Sequence, residues 1–176
     1  MKSYLGNTTA PRGIRNNNPG NLIITGNNWV GKINPNENTD GHFEQFRSIE
    51  YGLRALAIHL VNRIEAGKNT LEQIITEFAP PSENNTKAYI ASVSQATGLK
   101  PTEPIKLTDK VLKELVKAFI RVENGTAYSQ YVDDSTLFDS IKLLPSKILD
   151  KIKTAAVIGL PIILVILAAL YYTNEN

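Results

Sequence analysis

The chain contains no cysteine and two histidines, His42 and His59, so any chemistry it performs falls to its carboxylates. Thiol nucleophiles, disulfide scaffolds and zinc clusters are excluded by that count, and no metal or cofactor is expected. Among the carboxylates Glu123 stands out by its place on a helix. On a wheel of about 100° per residue with Leu112 at zero, Val116 falls at about 40°, Phe119 at about −20° and Glu123 at about 20°, while Lys110, Lys113, Glu114, Lys117 and Arg121 take the other side. A carboxyl inside an apolar stripe, in the last turn of its helix, is partly desolvated and close to the negative end of the helix dipole. Both effects disfavour the anion and raise its pKa. Where such a group faces a cleft it suits the breaking of a glycosidic bond, whose leaving oxygen must receive a proton. The wheel leaves a second outcome open, an acid that swings into solvent as the helix end frays.

The elements that must position Glu123 divide at Ser48. Residues 1–46 are rich in asparagine and glycine and show no helical period. Residues 22–25 and 29–31 read as two short strands around the turn at Gly26, Asn27 and Asn28, and residues 41–46 as a third with alternating apolar positions. A small sheet is expected there. From Ser48, as cap, the period becomes helical, with Ile49, Leu53, Leu56, Ala57, Leu60 and Ile64 on one face and Gly67 as the stop. Asn69 or Thr70 opens a shorter helix through Ile74, Ile75 and Phe78, which Pro80 and Pro81 end. Residues 86–97 form the next, with Tyr89, Ile90 and Val93 inward and Gly98 as its C′ residue. Thr108 caps the long helix that ends at Asn124 and Gly125. His42 falls in the third strand and His59 on the flank of an amphipathic helix, so both read as structural. The fold class expected is α+β, mainly helical, with a small β-sheet near the N-terminus.

At 176 residues, 42% hydrophobic and 20% charged, the chain has room for one domain of ordinary composition and an appendage. Nineteen Lys and Arg against 17 Asp and Glu form no basic stripe, so nucleic acid is not an expected partner. The appendage is residues 155–172, a run without a charge. As a helix rising about 1.5 Å per residue it would be roughly 27 Å long, against a hydrocarbon core of about 30 Å. Pro161 is tolerable there as a kink, and Tyr171 and Tyr172 suit the interface. The pattern predicts a domain over 1–138, an amphipathic linker over 139–154 and a C-terminal transmembrane helix over 155–172. Lys142, Lys147, Lys151 and Lys153 precede that run and no cation follows it, which puts the domain on the cytoplasmic side. The first residues lack the apolar region of a secretory signal, in keeping with that orientation.

Residues 12–22, Arg-Gly-Ile-Arg-Asn-Asn-Asn-Pro-Gly-Asn-Leu, followed by Trp29, Val30 and Gly31, resemble an opening motif of phage-encoded lysozyme-like murein-degrading proteins. The Phe-Glu-Gln-Phe of residues 43–46, the Glu-Tyr-Gly-Leu-Arg-Ala of 50–55 and the Phe-Ala-Pro-Pro-Ser-Glu-Asn-Asn-Thr-Lys-Ala-Tyr-Ile of 78–90 are similar to the same proteins, and the resemblance covers roughly residues 11–130. It implies a lysozyme-like fold with lytic transglycosylase-like activity on peptidoglycan. The Phe-Ile-Arg-Val-Glu-Asn-Gly of 119–125 resembles the Glu-Ser-Gly helix end of the soluble transglycosylases, and the Asn-Pro-Gly-Asn-Leu of 18–22 stands for their sheet turn. Here the acid follows the other elements instead of preceding them, an order that implies circular permutation, tolerable where the original termini lay close together at the surface. Residues 1–36 contain no Asp or Glu, so the upstream glutamate of an unpermuted arrangement is absent.

Glu123 is therefore the catalytic acid that the resemblance implies. The competing acids are Glu44, Glu50 and Glu83. Glu44 alternates with Phe43 and faces away from whatever Phe43 packs on, Glu50 suits the first turn of its helix electrostatically, and Glu83 is assigned to substrate positioning. Glycosidic hydrolases use a second carboxylate at about 5–9 Å. None is evident beside Glu123 unless Asp133 or Asp134 folds back, so a transglycosylase is expected. Asn16, Asn18 and Asn21 are candidates for the sugar acetamido groups, and Trp29, Tyr89 and Tyr128 for stacking or hydrogen bonding beside the cleft. Turn chemistry competes for the asparagines and core packing for Trp29 and Tyr89. Arg12 and Arg15 are candidates for the peptide or lactyl carboxylates of murein, with ordinary surface exposure as the competing reading. A murein-cleaving domain on the cytoplasmic side never meets its substrate. The conflict disappears if the anchor is packaged from the host inner membrane into a virus particle, whose partners are then peptidoglycan, the lipid membrane and other virion proteins. The rivals are a non-enzymatic virion membrane structural protein that keeps the fold, and a murein endopeptidase on the same fold.

Overall fold

The computed structural model describes residues 1–158. Its helices are α1 (Arg12–Arg15), α2 (Ile49–Glu65), α3 (Leu71–Phe78), α4 (Thr86–Thr97), α5 (Asp109–Asn124), α6 (Asp134–Lys142) and α7 (Ser146–Ile158), with 3-10 turns at Pro35–Glu37 and Thr126–Gln130. Capping residues set most of the boundaries. Thr70 and Gln73 form a reciprocal capping box at α3, the Asn85 side chain accepts from the Ala88 N–H at α4, and the Thr108 hydroxyl accepts from the Val111 N–H at α5. Gly98 closes α4 at φ 71°, the left-handed conformation that glycine adopts freely. Ser48 stands at the start of α2 but its buried hydroxyl has no partner. The first turn is tied instead through Glu50, whose two oxygens accept the backbone N–H of Lys2 at 2.9 and 3.1 Å.

The core is built around α5. Its Leu112, Leu115, Val116, Phe119 and Ile120 are fully buried, and the helix packs against α1, α2, α4 and α7. Leu53, Leu56 and Leu60 of α2 and Ile74 and Ile75 of α3 complete the cluster. Burying side chains of this size contributes about 1.5–3 kcal/mol each, which is what holds the helix carrying Glu123 in place. Residues 139–154, read as an amphipathic linker, place Ile141, Leu144, Ile148 and Ile152 in the same core.

One part of the expected fold, the small sheet, is corrected. No sheet forms among the described residues, so the class is helical and not α+β. Ile23 pairs with Phe43 and Lys32 with Phe46 in isolated antiparallel bridges only. Side-chain amides take the backbone groups that a ladder would need. Asn18 bonds the Leu22 N–H and the Leu22 and Glu44 carbonyls, Asn17 the Tyr4 N–H and the Phe46 carbonyl, and Asn38 the Phe43 carbonyl. As for the expected transmembrane helix, among the described residues no helix is long and apolar enough to cross a membrane. The run expected to form it, residues 155–172, lies outside the described residues from position 159 onward.

The asparagine-rich loop and α2 meet at Gly52. A Cβ there would lie 1.8 Å from the Asn17 carbonyl oxygen, so only glycine lets the loop approach this closely. Asn17 and Asn21 both take positive φ, 52° and 46°, which asparagine tolerates better than most residues. The loop is thereby folded back towards the end of α5.

Candidate active site

Glu123 sits in the last turn of α5 and is held from two sides. Asn21 Nδ2 donates to its Oε2 at 2.8 Å, and the Tyr89 hydroxyl donates to its Oε1 at 2.9 Å. Burial pushes its carboxyl above the usual glutamate value of 4.5, while the two hydrogen bonds pull the other way by favouring the anion. Burial, then the neighbouring Glu123, pushes the Tyr89 phenol well above its ordinary value, so it stays a donor. Each Glu123 oxygen uses one acceptor site on these partners, and a carboxylate has about four in all.

The end of α5 also fixes the loop that delivers Asn21. Asn124 Nδ2 donates to the Pro19 carbonyl at 2.7 Å and to the Ile120 carbonyl at 3.0 Å. Gly13 of α1 lies against both amides, since a Cβ there would be 2.5 Å from Asn124 Oδ1 and 2.8 Å from Asn21 Oδ1. Both of those oxygens are buried and unpartnered. Two sequence-distant pieces, the N-terminal segment from Gly13 to Asn21 and the α5 end at Asn124, thus converge beside one carboxyl.

Glu123 and Asn21 line a groove of about 570 Å³, within the roughly 300–1,000 Å³ range of small-molecule sites. The N-terminal loops contribute Ile23, Thr25, Asn27, Trp29, His42 and Phe43, and the segment from α2 through the start of the α3–α4 connection contributes His59, Arg63, Glu77, Phe78, Pro80 and Glu83. Rings run through its base: Phe78 packs edge-on against His59, Tyr89 and Phe119. Burial, aided by Arg63, lowers His59 to about 4, so it is uncharged at neutral pH.

Of the residues singled out from sequence, Glu123, Asn21, Trp29 and Glu83 line this groove, and Tyr89 reaches it through its hydrogen bond to Glu123. Asn18 does not. It is fully buried and spends its amide on the backbone of Leu22 and Glu44. Asn16 bonds Asp40 and Gln45 and lines a separate depression of about 390 Å³ with Arg12 and Arg15. There Arg12 grips Asp40 with two bonds, at 2.7 and 2.8 Å, and holds its carboxyl well below the usual range. Tyr128 is half-buried in the 3-10 turn after α5 and packs on the core.

Of the competing acids Glu83 lines the groove, and the others are occupied elsewhere. Glu44 is fully buried and pairs with Lys32 at 2.8 Å, where the strand reading had it facing away from Phe43's packing side. Glu50 binds the Lys2 backbone, Asp133 caps α6 and binds Lys2, and Asp134 pairs with Lys117. His42 and His59, read as structural, both line the groove, and so do Arg63 and Glu77, which sequence reasoning passed over. The signal for Arg63 was present: it follows His59 by four residues and therefore shares its helix face.

No family model matches the chain. The chain is 36% identical over 121 residues to Protein P5 of Pseudoalteromonas phage PM2, an alignment that covers 66% of this chain and 73% of that one. At that identity and coverage the chain belongs to the family of this phage protein.

Proposed function

We propose that the protein is a phage virion-associated lytic transglycosylase that cleaves the glycan strands of peptidoglycan for genome entry, with Glu123 as its acid and base. The observation that carries the reading is the Glu123 carboxyl at the groove, kept prone to protonation by burial yet supplied with two donors for its anion. The two properties serve successive steps. Protonated Glu123 gives its proton to the glycosidic oxygen as the bond to muramic acid C1 breaks. Its carboxylate, stabilised by Asn21 and Tyr89, then takes the proton of the C6 hydroxyl as that oxygen bonds to C1. The product is a 1,6-anhydro end, no water is consumed, and Glu123 regains its proton. Trp29 and Phe43 bring aromatic rings to the groove, and Asn27 and Asn84 bring amides. The likeness to phage murein-degrading proteins in residues 11–130 supports the same reading, as does the kinship with a phage protein.

The test is digestion of purified murein by the full chain and by Glu123→Gln, with products identified by mass spectrometry. Anhydro-muropeptides that disappear in the variant are the expected result. Free reducing ends would make the enzyme a hydrolase, cleaved stems an endopeptidase, and an untouched sacculus a structural protein, each overturning the proposal.

A further inference from the structure

Charged side chains line the groove beside its rings and amides. One turn of α2 beyond His59, Arg63 lines the groove together with Glu77 of α3. Arg63 Nη1 contacts Glu77 Oε1 at 2.5 Å, and Lys68 pairs with the other oxygen of Glu77. Two cations share one carboxylate, so the cluster keeps a net positive charge. His59 beside it is uncharged at neutral pH and adds no further cation. The Arg63 side chain is 35% exposed, and a guanidinium has five N–H donors of which the pair with Glu77 occupies few. Half-exposed ion pairs contribute little to stability, so the fold alone gives little reason for this cluster at this place.

The path from the acid to the cluster is continuous. Glu123 bonds Tyr89, Tyr89 packs on Phe78, Phe78 packs on His59, and His59 precedes Arg63 by one turn. Muramic acid carries a peptide on its lactyl group, so a groove that holds the bond at its C1 must also accommodate that peptide. Stem peptides bear carboxylates, which a planar guanidinium binds in bidentate fashion. Resting on the transglycosylase reading, we infer that the Arg63 end of the groove is a subsite for a carboxylate of the murein stem peptide, and that the enzyme prefers stem-bearing over stripped glycan.

The test measures binding without turnover. Soluble glycan tetramers prepared from murein, with their stems and after amidase removal of the stems, are titrated calorimetrically into full-length Glu123→Gln, with and without Arg63→Met. Stem-bearing tetramer is expected to bind about tenfold or more tightly than stripped tetramer, and Arg63→Met is expected to erase that difference while leaving the stripped tetramer unaffected. Arg63→Lys keeps the charge without the planar fork and is expected to lose part of the preference, which guards against a misfolded methionine variant. Equal binding of the two tetramers overturns the subsite, since the lactyl carboxylate exposed by stripping would then suffice. An Arg63→Met that weakens both alike overturns it too. Absence of any glycan binding refutes the transglycosylase reading and the subsite with it, whereas binding without a stem preference refutes the subsite alone.

Discussion

Gly52→Ala sets two physical effects against each other. Alanine is a better helix former than glycine by about 1 kcal/mol, so propensity alone makes the substitution stabilising. The structure reverses the sign. The new Cβ would stand 1.8 Å from the Asn17 carbonyl oxygen and 3.0 Å from Pro19 Cδ, and the carbonyl must retreat about 1.6 Å to reach ordinary contact at 3.4 Å. Asn17 has little freedom to do so, because its side chain accepts from the Tyr4 N–H at 2.8 Å and donates to Ser3 Oγ and to the Phe46 carbonyl at 2.9 Å each. Overpacking costs about 1–3 kcal/mol, and loss of a buried hydrogen bond adds about 0.5–1.5 kcal/mol. After the propensity gain, a net destabilisation of about 2 kcal/mol is expected, or a fall in Tm of roughly 4–8 °C for a chain of this size. Urea and thermal unfolding followed by circular dichroism measure it. Gly26→Ala, where a Cβ meets nothing within 4 Å, serves as the control and is expected to stay within about 0.5 kcal/mol of the parent. A Gly52→Ala protein as stable as the parent would refute the reasoning that the loop is pinned against α2.

Tyr89→Phe keeps the ring in the core but removes one donor to the Glu123 anion. Hydrogen bonds to charged groups are worth about 1.5–3 kcal/mol, so murein turnover is expected to fall by about tenfold to a hundredfold with KM little changed, and the alkaline limb of its pH profile, set by loss of the Glu123 proton, to move upward. A rate equal to the parent's would remove Tyr89 from the machinery. His59→Gln tests the buried imidazole through stability. The folded-state value of about 4 lies below the unfolded 6.5, so the unfolded chain binds more protons between those values and stability is lost as pH falls through that window. At about 1.4 kcal/mol per pH unit the full loss is at most roughly 3.5 kcal/mol, and the variant is expected to lack this slope in unfolding measurements from pH 7 to 4. An unchanged slope would show that His59 is solvated.

The helices were legible because their signals are local. Thr70 with Gln73, Thr108, Gly98 and the apolar spacing of residues 112–120 each act within a few residues, and α3, α4 and α5 begin and end where those residues stand. Glu123 was legible for the same reason, since its angle on the wheel follows from the helix alone. The N-terminal part was misread because its order is not local. Residues 22–25 and 41–46 have the alternation of strands, yet Asn17, Asn18 and Asn38 from other points of the chain occupy the groups that would have extended the pairing. Composition records how many asparagines there are, not which carbonyl each one meets. Asn21 and Asn18 illustrate the difference: three residues apart in one motif, one touches the acid and the other is buried in the loop's own framework. The sequence places Arg63 on the helix face of His59, but its pairing with Glu77 was not legible, as the two come together only through the packing of α2 on α3.

Glu123 holds its proton more firmly than a free glutamate while remaining able to carry charge between two donors. Carbon-detected NMR titration of the selectively labelled Glu123 side chain, assigned by comparison with Glu123→Gln, measures this directly. A midpoint above 4.5 that rises further in Tyr89→Phe is the expected result. A midpoint at or below 4.5, unmoved by removal of the Tyr89 hydroxyl, would mean that neither burial nor the Tyr89 hydrogen bond governs the Glu123 proton.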